Sequence, residues 1–96
     1  MGNVIFKFKR SLSQKLTLQG PIDVIVDDKD RFKVEPDRSL DTTLSEGSHT
    51  LKVFIFNQDK EMGLVNTKID VHGGKYEVTY TYDTLSGNGK VVVTQG

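Results

Sequence analysis

Cysteine is absent from this 96-residue chain, so neither a disulfide bond nor a thiolate metal site can help to hold the fold. The absence is compatible with a reducing, intracellular compartment. A chain of this length is long enough to bury a core of its own, and we expect one domain over residues 1–96.

Long apolar runs are missing as well. No stretch approaches the about 18 consecutive apolar residues of a membrane helix, and the N-terminus lacks the basic region and apolar stretch of a secretory signal. We therefore expect no membrane insertion and a cytoplasmic protein that begins at Met1. A domain cut from a larger protein is the alternative.

The net charge is zero, yet the charges are unevenly distributed. Residues 1–20 carry four basic side chains and no acid, which gives +4. Residues 21–50 carry eight acids against four bases, which gives −4, and residues 51–96 balance five against five. Such a distribution can orient a charged partner, but an overall charge of zero argues against non-specific binding to nucleic acid.

Helical periodicity is hard to find, and the apolar residues alternate in short β-branched and aromatic runs. Turn residues separate these runs at spacings of about 8–12 residues, which is typical of a sandwich. The sequence therefore predicts an all-β fold, a single antiparallel β-sandwich of immunoglobulin-like layout with about eight short strands. The predicted strands are 3–9, 14–18, 22–27, 31–34, 39–44, a central strand that follows a turn at Glu46-Gly47 and ends at Phe56, 64–71, 75–83 and 91–93.

Two turns are predicted from residues that favour hairpins. Asp28-Lys29-Asp30 is a tight polar turn between two strands. Gly73-Gly74 is the strongest hairpin signal, because adjacent glycines supply the positive φ angles that such turns require. The polar connection 57–63 is long enough for one turn of helix.

The stretch 46–56 is the most strongly β-forming run and is apolar on both faces. Leu51, Val53 and Ile55 point to one side, and Phe54 and Phe56 point to the other. Such a strand belongs in the middle of a sheet, with one face in the core and the other at least partly covered.

The outer side of this strand is the first candidate site. Phe54 and Phe56, with Ile5 and Ile25 on the same outer surface, form a predicted partner-binding patch. The alternative is that the 57–63 connection covers the two phenylalanines. The sequence does not decide between them.

Three tyrosines on one strand face are the second candidate. Tyr76, Tyr80 and Tyr82 can form a flat platform for sugars, or they can face the core because the opposite parity is fully polar. Phe6 and Phe8 alternate with lysines, but aromatic and basic side chains then lie on opposite faces, so no nucleic-acid interface is expected.

Metal and catalytic signals are weak. Asp27, Asp28 and Asp30 offer oxygen ligands to a hard cation but lack the glycine and distal glutamate of an EF-hand loop, and Asp is also a common turn residue. His49 and His72 have no cysteine to complete a zinc site. We predict no metal, no cofactor and no enzymatic activity, because nucleophile, base and orienting group cannot be assembled.

Residues 22–82 follow a pattern in which Val26-Asp27-Asp28 ends a strand, Gly47-Ser48-His49-Thr50-Leu51 begins another, and Gly73-Gly74 precedes a closing strand. The pattern resembles bacterial PEGA-type domains and other small immunoglobulin-like sandwiches. Those domains have a Val-Asp-Gly hairpin, a Gly-x-His-x-hydrophobic strand start and a glycine turn. The chain departs from them at Asp28, where they have glycine, and it lacks the Thr-Pro that usually follows.

The resemblance implies a non-catalytic module of an envelope-associated or multidomain bacterial protein. We therefore expect a protein-binding or structural module of bacterial origin. It would act through the outer face of the 51–56 strand, or through a sheet edge that adds a strand from another protein or a second copy. The alternative is a carbohydrate or envelope-ligand module that uses Tyr76, Tyr80 and Tyr82.

Overall fold

The computed structural model describes residues 2–18, 20–57 and 60–96. Strands make up nearly all of the regular structure, so the prediction of an all-β fold is confirmed. The elements in chain order are β1 Gly2–Phe8, α1 Gln14–Thr17, β2 Ile22–Val26, β3 Asp30–Val34, β4 Ser39–Leu44, β5 Gly47–Asn57, β6 Lys60–Val71, β7 Lys75–Asp83 and β8 Asn88–Gln95.

The strands form two four-stranded sheets. The first sheet has the order β4-β1-β7-β8, and the second has the order β3-β2-β5-β6. All neighbouring strands are antiparallel except β1 and β7, which are parallel. The prediction of a purely antiparallel arrangement is therefore wrong at this pair, because two strands so far apart in the sequence leave no local signal of their pairing.

The two sheets share one apolar core. Val4, Phe6 and Phe8 of β1 project into it from the first sheet, as their alternation predicts. Val53 and Ile55 project into it from the second sheet, where β5 lies between β2 and β6. Full burial of a side chain of this size contributes about 1.5–3 kcal/mol relative to exposure, so the alternating pattern determines which face of each sheet turns inward.

The predicted strand 14–18 is wrong, because this segment contains α1. The Ser11 N–H donates to Gln14 Oε1 (3.0 Å), and the Gln14 N–H donates to the Ser11 hydroxyl (3.4 Å), a reciprocal pair that satisfies two donors at a helix start. Leu18 is buried and Leu16 is exposed, so the two leucines do not share a face.

The glycine pair has the predicted φ angles, +70° at Gly73 and +81° at Gly74, but it does not form a hairpin. The strands on either side, β6 and β7, belong to different sheets. Positive φ angles reverse the chain, but they do not specify which strand the next segment will pair with.

The hairpin between β2 and β3 is confirmed. Its positive φ angles fall on Asp27 (+55°) and Asp28 (+54°), and the Lys29 N–H donates to the Val26 carbonyl oxygen (3.0 Å). Two successive positive φ angles match the right-handed twist of the flanking strands.

Strand β6 begins at Lys60, earlier than the predicted residue 64. Val53 faces Val65 and Ile55 faces Met62, so β6 carries one extra residue at this point, and Gly63 has a φ of +60°. This is a β-bulge with a glycine in the left-handed region. Residues 58 and 59 of the 57–63 connection lie outside the described residues. Its other residues are strand and do not form the helical turn for which the connection is long enough.

Candidate functional site

The outer face of the second sheet carries Phe54 and Phe56, as the parity of β5 predicts. Phe54 is only 1% exposed, whereas Phe56 is 40% exposed. The Arg31 guanidinium carbon lies 5.8 Å from the centre of the Phe54 ring, and Lys52 Nζ lies 5.9 Å from it. Both cations are within the range of favourable interaction with an aromatic face, so Phe54 is already in contact with charged groups of its own sheet.

Ile25 and Ile5 do not lie on one surface. Ile25 sits in β2 between Arg31 and Lys52 on the second sheet. Ile5 belongs to the first sheet, where it faces Asp41 of β4 and Glu77 of β7. The prediction that Phe54, Phe56, Ile5 and Ile25 share an outer surface is wrong, because the strand order that separates β1 from β2 cannot be read from side-chain parity.

A buried carboxylate lies beside Phe54. Asp23 faces Phe54 across the β2–β5 pair and is almost fully buried. Arg31 donates a hydrogen bond to Asp23 Oδ2 (2.5 Å), while Oδ1 is buried and unpaired. Since a buried charge is costly unless it is paired, Arg31 is held over both Asp23 and the Phe54 ring. The outer face of the second sheet is therefore a packed layer around Phe54, formed by side chains of the sheet itself.

The three tyrosines do not form an exposed platform. Tyr76 and Tyr80 are buried, and Tyr82 is partly buried against the core. The Tyr80 hydroxyl donates to the Gly63 carbonyl oxygen (2.6 Å), and the Tyr76 hydroxyl accepts from the His72 N–H (2.9 Å). Burial raises the pKa of Tyr80. The tyrosine face therefore points into the core, which is the alternative to the sugar platform. None of these contacts favours the carbohydrate function.

His49 is the centre of a polar cluster that sequence reasoning missed. It lies on the inner parity of β5, is 9% exposed, and faces Ile69 across the β5–β6 pair. Its Nδ1 lies 2.6 Å from Asp27 Oδ2 in the β2–β3 turn, and its Nε2 lies 2.8 Å from the Ser45 carbonyl oxygen. The Thr50 N–H donates to the other Asp27 oxygen (3.0 Å).

The two contacts of the His49 ring suit its protonated form. A carboxylate and a carbonyl oxygen are both acceptors, so protonated His49 can donate to both of them from its two ring nitrogens. The Ser45 hydroxyl is 3.4 Å from Nε2, which gives the cluster the composition of a Ser-His-Asp triad. A general base needs its lone pair directed at the nucleophile, and here Nε2 lies closer to the Ser45 carbonyl oxygen (2.8 Å) than to the Ser45 hydroxyl. The cluster instead ties β5 to the β2–β3 turn.

The pKa of His49 is raised, first by its hydrogen bond to Asp27 and then by that to the Ser45 carbonyl. The pKa of Asp27 is lowered, first by His49 and then by the Thr50 N–H. The contribution of His49 is complete below its unfolded pKa of about 6.5 and is lost as the pH rises through its raised folded value. The contribution of Asp27 is present above about pH 4 and is lost as the pH falls through its lowered value.

We expect the melting temperature to be highest between about pH 4 and 6.5 and to fall towards pH 8. His49→Gln should flatten the basic side of this profile and lower the maximum by on the order of 4–8 °C. Thermal unfolding followed by circular dichroism between pH 4 and 9 measures both effects. His72→Gln is the control, because His72 is exposed and should leave the profile in place. A His49→Gln profile identical to that of the wild-type chain would contradict a stabilising contribution from protonated His49.

The other candidate ligand sites, for a metal ion and for nucleic acid, are not assembled in the described residues. In residues 2–18, 20–57 and 60–96, no three histidine, aspartate or glutamate side chains come together as a metal site, and Asp27 is already bound to His49. Phe6 and Phe8 are buried in the core, while Lys7 forms an ion pair with Glu77 (2.7 Å), so aromatic and basic groups do not alternate on one exposed surface.

The edge of β8 beyond Gly89 is the candidate docking site, since at Gly89 the strand lies against Gly63 of β6. The Gly96 N–H donates to the Lys75 carbonyl oxygen (2.9 Å), which continues the register that pairs Gln95 with Tyr76. Backbone groups of alternate residues point to the same side of a strand, so the even-numbered residues of β8 bond to β7. The N–H and C=O groups of Val91 and Val93 therefore point away from the sheet.

Two apolar side chains along this edge are accessible. Val92 lies on the outer face and is 43% exposed, and Val93 lies on the inner face yet is 38% exposed. Lys90 is the only charged residue between Asn88 and Gln95. A core-facing valine remains accessible when no neighbouring strand covers it at the sheet edge.

The other edge strands carry the features that usually discourage pairing. Strand β3 contains Asp30, Arg31 and Lys33, and β4 has an exposed Asp41 near its middle. Strand β6 has the bulge at Gly63 and charged side chains at both ends. Of the four edge strands in the part of the chain that the structure describes, β8 combines a single charged side chain with two exposed valines. Sequence reasoning predicted a short strand at 91–93 but had no means of placing it at an edge.

Comparison with known proteins yields no match to a family model, a curated protein or a solved structure. Across the residues described, no helix is both long enough and apolar enough to cross a membrane.

Proposed function

We propose that the chain is a non-catalytic module that docks another polypeptide chain by strand addition at the free edge of β8. The observation that carries the proposal is the outward direction of the Val91 and Val93 backbone groups, next to the accessible side chains of Val92 and Val93. An added strand gains main-chain hydrogen bonds, and its alternate side chains provide specificity.

The proposal includes an immunoglobulin-like β-sandwich architecture and a bacterial origin. Two four-stranded sheets with a common core support the sandwich. The PEGA-type pattern of residues 22–82 supports the immunoglobulin-like layout and the origin. The β2–β3 hairpin, which that pattern begins with, is formed by Asp27 and Asp28 at positive φ, where the pattern has Asp-Gly.

The non-catalytic part of the proposal rests on how the polar groups are used. Both ring nitrogens of His49 are in hydrogen-bond contact within the chain, with Asp27 and with the Ser45 carbonyl oxygen, and Asp27 also accepts from the Thr50 N–H. These contacts support the turn and the start of β5.

A pair of substitutions at Val93 tests the docking edge. Val93→Pro removes the outward N–H but no hydrogen bond to β7, so the fold should tolerate it as edge strands tolerate proline. Val93→Ala shortens the side chain and keeps the N–H. The probe is a ten-residue peptide selected for binding to the wild-type chain from a displayed random library, and its affinity is measured by calorimetry.

We expect Val93→Pro to weaken peptide binding by at least about tenfold relative to Val93→Ala, since it removes a docking hydrogen bond and distorts the edge. Both variants should unfold cooperatively at similar temperatures. Equal peptide affinity in the two folded variants would contradict docking at β8. A selected peptide whose contacts map to the outer face of the second sheet would contradict it as well.

A further inference from the structure

We infer that the chain docked at the β8 edge is β8 of a second copy, antiparallel to the first about a twofold axis through Val92. The inference rests on the proposed function, since it specifies the partner of the same edge. It is carried by the backbone register, the side-chain pairing and the charge distribution of residues 90–94, which follow the point where Gly89 lies against Gly63 of β6.

The backbone groups match their own symmetry mates. With the axis at Val92, Val91 faces Val93 of the second copy, and both residues have outward N–H and C=O groups. Each such pair exchanges two hydrogen bonds, and the axis generates the pair twice, so the centre of the interface gains four main-chain bonds. Val92 then faces its own mate as a non-hydrogen-bonded pair, the arrangement in which side chains approach most closely.

The side chains match as well. Val92 and its mate meet on the outer face of the first sheet, where each is exposed in the single chain. On the inner face, Val91 of the second copy lies beside Val93 and covers it, which extends the core across the new pair. Close cross-strand contacts between apolar side chains stabilise a sheet.

The charges permit this register. Lys90 faces the uncharged Thr94 of the second copy. The two Lys90 residues are four positions apart along the paired strands, about 13 Å at 3.3 Å per residue, beyond the Debye length at physiological ionic strength.

The edge strand β3 lacks this self-complementarity. The same operation centred on Phe32 places Arg31 directly opposite Lys33 of the second copy, a destabilising like-charge pair. The self-complementary pattern of β8 is therefore not shared by β3.

Single cysteines test the axis directly, because the chain has no cysteine of its own. Val92→Cys places two thiols across the twofold axis, with Cα atoms about 4.5 Å apart, within the range that a disulfide spans. Thr94→Cys is the matched control on the same strand, since its mate lies about 13 Å away. Air oxidation at about 100 µM is followed on non-reducing gels.

We expect Val92→Cys to form the interchain disulfide at least about tenfold faster than Thr94→Cys, because pairing raises the effective thiol concentration. A mixture of Lys90→Cys and Thr94→Cys should cross-link faster than either variant alone. Equal rates for Val92→Cys and Thr94→Cys would overturn the inference. If peptide binding at the edge remained sensitive to Val93→Pro in that case, the proposed function would stand without self-pairing. If it did not, both would fail.

Discussion

Replacing Gly63 with alanine is expected to lower the free energy of unfolding by about 2–5 kcal/mol. Gly63 has a φ of +60°, which costs an L-residue about 1–2 kcal/mol. An added Cβ would also collide with the Tyr80 hydroxyl and the Tyr82 ring. Overpacking of this kind costs about 1–3 kcal/mol more, and the hydrogen bond from Tyr80 to the Gly63 carbonyl would be distorted.

Gly73→Ala separates the backbone cost from the packing cost. Gly73 has a similar φ of +70°, but a Cβ there meets no atom closer than 3.7 Å. It should therefore lose only about 1–2 kcal/mol. Urea unfolding of both variants measures the difference. If Gly63→Ala were no more destabilising than Gly73→Ala, the packing of Tyr80 and Tyr82 against the β6 bulge would be wrong.

Substituting Phe54 with serine is expected to cost about 3–5 kcal/mol, because a fully covered aromatic side chain is lost. It also removes the ring that Arg31 and Lys52 contact, and it removes the large side chain that Asp23 faces across the β2–β5 pair. Phe56→Ser should change stability by less than about 1 kcal/mol, since Phe56 is substantially exposed. Chemical denaturation of the two variants provides the comparison.

The two serine variants also distinguish a structural layer from a binding patch. A destabilised Phe54→Ser chain that still binds the selected peptide at low temperature agrees with docking at β8. A Phe54→Ser chain as stable as Phe56→Ser, with peptide binding lost in both, would contradict the structural role of Phe54. That result would return the docking site to the outer face of the second sheet.

The positions of most strands can be predicted from the sequence, because the alternation of side chains is a local pattern. The buried faces of β1 and β5 are the ones that Val4, Phe6, Val53 and Ile55 predict. The segment 14–18 was misassigned because leucines two residues apart mimic strand alternation. The helix in this segment begins with the reciprocal hydrogen bonds between Ser11 and Gln14. The Ser-x-x-Gln spacing in the sequence is the pattern that indicates such a helix start.

Strand partners do not follow from the sequence, because pairing is set by contacts between distant residues. The turn at Gly73 and Gly74 has the predicted backbone angles, but the chain crosses from one sheet to the other there. The parallel pairing of β1 with β7 has no local signature either. The grouping of Ile5 with Ile25 failed for the same reason.

The polar cluster and the position of the proposed docking edge could not be predicted from the sequence, for related reasons. His49 and Asp27 are 22 positions apart and meet only because β2 and β5 are neighbours. The valines of β8 are visible in the sequence, but their accessibility depends on β8 being the last strand of its sheet. The sequence shows these residues, but the strand order determines which of them meet and which lie at a sheet edge.

Residue-resolved amide hydrogen exchange of the wild-type chain at about 10 µM and about 1 mM tests the central claim most directly. Self-pairing at β8 predicts that exchange of the Val91 and Val93 amides slows at the higher concentration, because their N–H groups become bonded to the second copy. The Val92 amide, already bonded to β7, should change much less. Rates for Val91 and Val93 that do not depend on concentration would contradict self-pairing through this edge.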